Sequence, residues 1–286
     1  IEAKVYFGEG NTEEAERIFL ELIENGSAES DIYFLEGLVL LQREMPQKAL
    51  EYLQEAVGRE PNFHLYRFRL AETRYLLGMS AREDLERALE LEPQDGWTCN
   101  LAGLIALEEG ADEEAREYLA KAMDALPEQR DVQLNYSKAL FRLEGLDAGE
   151  SVLTLEDDPY VLNQRANLNA EGGRLENAVE LYQQALEIRP EEQVFLENIS
   201  SALIKADRIA EAEEYLVRLL DSDSYESADA YRMIAEIAQR KGELERAAVS
   251  LEEALNHQQG YVTNLKKGQP VVSFWTKKRQ NCFPNA

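Results

Sequence analysis

Small, apolar and polar residues recur along most of this chain in the three- and four-residue steps of a helix, not the two-residue alternation of a strand. The stretch GGRLENAVELYQQALEIRP (172–190) shows the pattern: Ala178, then Tyr182 four residues on, then Ala185 three further, with charged side chains between. GADEEAREYLAKAMDALP (110–127) and MPQKALEYLQEAVGREP (45–61) repeat it. Anchored on the second small residue, the series is Ala56, Ala88, Ala122, Ala185, Leu219 and Ala254, with gaps of 32, 34, 63, 34 and 35. The gap of 63 holds two repeats, one of them short.

Each repeat reads as two amphipathic helices. The first carries a small residue at its eighth place: Gly37, Ala71, Gly103, Ala166, Ser200 or Ala235. A turn follows, often with glycine (Gly10, Gly78, Gly110, Gly173, Gly242). The second helix begins near Ala49, Ala81, Ala115, Ala178, Ala212 or Ala247. Pro61, Pro93, Pro127 and Pro190 close repeats, because proline cannot continue a helix. Small residues at fixed points let neighbouring helices approach closely. One hairpin cannot bury its own apolar face, so the hairpins must stack.

This spacing resembles the tetratricopeptide repeat, a helix–turn–helix of 34 residues. The resemblance covers nearly all of residues 1–261 and implies an all-α fold, a right-handed α-solenoid of stacked helix–turn–helix repeats. Eight repeats are expected: 1–29, 30–63, 64–95, 96–129, 130–158, 159–192, 193–227 and 228–261. The first lacks the start of its first helix, as expected of a piece of a longer array. The third is two residues short in its turn. The fifth has only 29 residues, with Gly149 where alanine is usual and LEDDP cutting its second helix short, and it is expected to bend or loosen the stack. After Tyr261 the period stops, and residues 262–286 are expected to form a basic, irregular tail.

Composition supports a helical, soluble protein, rich in Ala, Glu and Leu. The formal net charge is −26; the last 25 residues carry five basic side chains and no acid, so the residues before them carry −31. Such a body repels phosphate backbones, which argues against nucleic acid and for basic or neutral partners. No apolar run approaches the ~20 residues that span a bilayer. The compartment, cytoplasmic or periplasmic, is left open.

Little in the chain suggests catalysis, a metal or a cofactor. His64 and His257 stand far apart, and Cys99 and Cys282 suggest two unpaired thiols. DSDSYESADAYR (221–232) lacks the glycine and final glutamate of a calcium loop. Phosphate loops, nucleophile elbows and dinucleotide fingerprints are absent. Asn25, Asn135 and Asn198 begin formal glycosylation sequons, two of them within helices. No enzyme is expected.

The resemblance places partner contacts on the inner face, at fixed places of the first helices. The early repeats put apolar residues there: Phe34, Leu38, Leu41, Phe68, Tyr75, Trp97, Leu104 and Leu107. The later ones put polar residues there: Asn135, Lys138, Arg142, Tyr160, Asn163, Asn167, Asn198, Lys205 and Arg232. A carboxamide both donates and accepts, so asparagine can pair with a peptide N–H and C=O together. The family's carboxylate clamp is not expected, because Asn163 and Asp229 stand where its lysines belong. The expectation is a non-catalytic scaffold that binds a protein or extended peptide. The alternative is a recruiting array from a larger enzyme or an envelope secretion machine. The aromatic and basic residues of 262–286 further suggest docking on this chain's own solenoid or on a neighbouring copy.

Overall fold

In the computed structural model, residues 11–26, 29–220 and 228–266 are described. They form fifteen helices and no strand. Helix α1 (Thr12–Glu24) is the second helix of the first repeat. The next repeats are complete hairpins: α2 (Ser30–Gln42) with α3 (Pro46–Arg59), α4 (His64–Leu76) with α5 (Arg82–Leu91), and α6 (Gly96–Glu109) with α7 (Asp112–Ala125). Then come α8 (Arg130–Glu144) with α9 (Leu146–Ser151), α10 (Pro159–Glu171) with α11 (Leu175–Ile188), α12 (Gln193–Lys205) with α13 (Ile209–Leu220), and α14 (Ala228–Arg240) with α15 (Leu244–Lys266).

The chain divides into two compact blocks, Ile1–Leu126 and Pro127–Ala286. Within each block, second helices pack against the first helix of the next hairpin, which is the α-solenoid arrangement. The alanines that set the register, Ala15, Ala49, Ala115, Ala178 and Ala212, are fully buried. Two repeats need less than alanine. A Cβ at Gly37 would lie 2.8 Å from Leu53, and one at Gly103 would lie 2.4 Å from Leu119. The four turns with Gly78, Gly110, Gly173 and Gly242 have φ between +69° and +79°, the left-handed region that glycine enters freely. Glu44 and Asp207 hold the same turn at φ +59° and +60°.

The third repeat, two residues short in its turn, carries an ionic contact between its two helices. Arg67 and Arg74 of α4 converge on Asp84 in the first turn of α5, at 2.5 and 2.7 Å. Asp84 is buried.

In the fifth repeat, polar side chains stand where further helix is missing. Helix α9 has only six residues, and the segment after it is held by side chains. Gln133 donates to the carbonyl of Pro127 and to Thr154 Oγ1, both at 2.8 Å, and its Oε1 accepts from the Thr154 N–H at 3.0 Å. Arg165 donates to the carbonyl of Leu153 at 2.7 Å. Leu153 then packs with Val161 and Leu168 in the space that further turns of helix would fill. Gly149 is needed for fit: a Cβ there would lie 3.0 Å from both Phe141 Cβ and the Ser137 carbonyl.

One boundary is corrected. Residues 262–266, expected to be irregular, continue α15 to Lys266. Neither glycine nor proline interrupts the chain between Tyr261 and Gly268, so nothing in the backbone stops the helix there. The rest of the expected tail, from Lys267 on, lies outside the described residues, as do 221–227 of the rejected calcium loop.

Candidate partner-binding surface

In the N-terminal block, the helix-packing core takes most of the expected contact residues. Phe34 stacks on Tyr66 with ring centroids 4.7 Å apart, and it packs with Ala49 and Leu53. Phe68 lies 6.4 Å from the His64 ring, with the Arg69 guanidinium 5.4 Å from its own centroid. Phe34, Phe68, Tyr75, Leu104 and Leu107 are all buried. As side chains for a partner these five are corrected: burial against neighbouring side chains leaves little of their surface for a ligand. Leu38, Leu41 and Trp97 are half-buried and keep an open edge. His64 Nε2 is bonded to Thr98 Oγ1 at 2.9 Å, and Thr98 in turn donates to Asp95, which caps α6.

In the C-terminal block, polar residues on successive first helices meet. Asn198 of α12 donates through Nδ2 to Asn163 Oδ1 of α10 at 3.0 Å. This is an amide rung between neighbouring repeats. Asn163 is buried and acts as the foot of the rung, a correction to its expected exposure. Asn198 is half-buried and retains its carbonyl oxygen and a second N–H. Asn167 accepts from the hydroxyl of Tyr182 in α11 at 2.6 Å, which ties it to its own hairpin. Burial pushes the Tyr182 phenol well above its ordinary value, so that hydroxyl stays a donor. Asn135 is buried within α8, a second correction, while Lys138 is half-buried. Arg232 is exposed and pairs with Asp229.

Sequence reasoning placed Tyr160 on this face but missed what surrounds it. Its hydroxyl donates to Glu192 at 3.0 Å and accepts from Arg189 at 3.2 Å. Arg130 and Arg189 lie 4.6 and 5.3 Å from its ring centroid. Burial, then Glu192, raises its pKa. These four residues come from the starts of α8 and α10 and the turn before α12. Each sits beside a repeat boundary, which is the only signal in the sequence that they could meet.

The described residues hold no cluster of side chains able to bind a metal ion. Nor do they include a helix long and apolar enough to cross a membrane. Cys99 is buried, and burial pushes its thiol upward, away from the reactive thiolate.

Comparisons with known proteins agree with this architecture. Models of the tetratricopeptide repeat match residues 2–63, 170–224 and 198–260. A TPR repeat-containing protein of Treponema pallidum is 30% identical over 278 residues, covering 89% of this chain and 34% of the relative. The chain thus spans about a third of the length of that curated relative. A tetratricopeptide repeat protein of Parabacteroides merdae superposes with a TM-score of 0.65 at 15% identity, covering 80% of this chain and 93% of that one. The human IFIT1 dimer with PPP-AAAA does so with a TM-score of 0.65 at 16% identity, covering 93% and 72%. At such identities these two structures speak for the fold alone.

Proposed function

Because the chain belongs to the tetratricopeptide repeat family, whose fold is generally a protein-interaction scaffold, we propose that it binds a protein or extended peptide along the first-helix face of its C-terminal block. The observation that carries this reading is the rung from Asn198 to Asn163. It fixes the Asn198 carboxamide in one orientation before any ligand arrives, which lowers the cost of ordering it on binding. Its remaining donor and acceptor match a peptide unit, and Asn167, Lys138 and Tyr160 add polar and aromatic contacts. Backbone reading of this kind suits an extended segment of varied sequence. No step of the reading needs a catalytic group or cofactor.

A nucleic-acid ligand is disfavoured by charge and not by fold. A net −26 repels a phosphate backbone, even though the similar IFIT1 structure is described with PPP-AAAA. A second reading, a recruiting array within a longer polypeptide, draws support from the length of the Treponema pallidum relative.

The test uses an array of extended peptides and the affinity of whichever binds. Asn167→Ala with Asn198→Ala removes two neutral hydrogen-bonding groups, at about 0.5–1.5 kcal/mol each, so affinity should fall about tenfold. Unchanged affinity, with normal circular dichroism, would remove these residues from the contact.

A further inference from the structure

Helix α15 presents an apolar stripe that its counterparts do not. Leu244, Ala248, Leu251 and Leu255 follow one another at steps of four, three and four residues, so they share one face. All four are exposed, the three leucines at 71%, 50% and 56%. The opposite outcome holds at the same repeat positions elsewhere. Val179, Tyr182 and Leu186 of α11 correspond to Ala248, Leu251 and Leu255, and all three are buried in the core that includes α12. The stripe on α15 is therefore a helix-docking face with nothing described upon it.

We propose that residues 267–286 fold back along α15 and cover this stripe. Three features select this occupant. The first is connectivity: the segment leaves from the end of α15 itself, and Gly268 and Pro270 supply turn residues at once.

The second is charge. Glu245 and Glu252 flank the stripe on the side away from the buried Ala247 and Ala254. Two copies of α15 face to face would bring these acids together, which disfavours a second copy. Residues 267–286 carry four basic side chains and no acid.

The third is register. A helix rises about 1.5 Å per residue, so Leu255 lies about 16 Å back from Lys266, Glu252 about 21 Å and Glu245 about 31 Å. An extended strand returning from Pro270 covers about 3.3 Å per residue. That puts Phe274 and Trp275 about 13–17 Å back, beside Leu255. It puts Lys277, Lys278 and Arg279 about 23–30 Å back, between Glu252 and Glu245. Aromatic rings meet leucine, and cations meet carboxylates, in one alignment. The segment closes the end of the C-terminal block. The proposal does not depend on the asparagine face, and its test uses no partner.

Trp275 is the reporter. The chain has two tryptophans, so Trp97→Phe leaves it alone. In the full chain at about 0.01 M salt, where screening reaches ~30 Å, acrylamide should quench Trp275 about half as well as it quenches a free peptide of residues 267–286. Leu251→Asp with Leu255→Asp should restore the peptide's quenching. Glu245→Gln with Glu252→Gln, which leaves the leucines and the helix intact, should move it part of the way, as should added salt. Quenching equal to that of the peptide in the full chain overturns the proposal. So does protection unchanged by both pairs of substitutions. Protection that appears only as protein concentration rises also overturns it, and assigns the stripe to a second copy.

Discussion

At the scale of single residues, the most consequential side chain is Glu36. It sits in the middle of α2, 1% exposed, and its Oε2 has no hydrogen-bond partner. Burial, reinforced by the charge of Glu16 and only partly offset by Arg43, pushes its carboxyl up to about 7. Arg43 is engaged with Glu16 at 2.5 Å. The folded protein thus holds the Glu36 proton more tightly than the unfolded chain, where an ordinary glutamate titrates near 4.5. The buried carboxyl costs nothing extra below pH ~4.5, and stability is lost as pH rises through about 7. Glu36→Gln should therefore leave the thermal midpoint nearly unchanged at acid pH. Above neutrality it should stabilise by about 3 kcal/mol, since a rise from 4.5 to about 7 at about 1.36 kcal/mol per pKa unit sets that scale. Equal effects of the substitution at acid pH and above neutrality, in melts monitored by circular dichroism, would show that folding does not raise the Glu36 pKa.

At the scale of elements, the fifth repeat shows how a solenoid tolerates a shortened helix. Helix α9 has only six residues, and Gln133 ties both sides of the loop after it through hydrogen bonds. Buried amides with satisfied partners are worth about 0.5–1.5 kcal/mol per bond, and stranding their partners costs about as much again. Gln133→Ala should cost about 2–4 kcal/mol. In native-state hydrogen exchange, the amide of Thr154 should lose protection in this variant while those of α7 and α11 keep theirs. Loss spread evenly over all three would mean that the loop is not a local cooperative unit.

At the scale of the whole molecule, charge sets the balance. Most ion pairs are exposed, as with Arg17–Glu14, Arg87–Glu90 and Arg240–Glu236. Exposed pairs contribute about 0–1 kcal/mol each, and salt weakens them. The net −26 acts across the entire chain, and salt relieves that repulsion as the screening length falls to about 10 Å at 0.1 M. Repulsion should win, so the melting temperature should rise with sodium chloride over this range. A fall would mean that the ion pairs between repeats, such as Arg208–Glu176 and Lys241–Glu213, outweigh the net charge.

The local code of this protein lies in its sequence. Ala178, Tyr182 and Ala185 recur because a helix returns to the same face every three or four residues, so paired amphipathic helices follow from spacing, while the solenoid came from the family resemblance and the last helix ran past its expected end. Leu153, Gln133 and Arg165 could not be read the same way, because they meet only after the chain has turned back and an abbreviated helix has left space between its neighbours. The binding face divides similarly. Repeat position placed Asn163 and Asn198 on the inner face of successive first helices. Only packing decided that Asn163 would be buried beneath Asn198, that Phe34 and Phe68 would be buried, and that no described helix would cover the stripe on α15. Periodicity specifies which side of a helix a residue occupies. Exposure depends on what lies against that side, and this is set by the tilt, length and presence of the next helix.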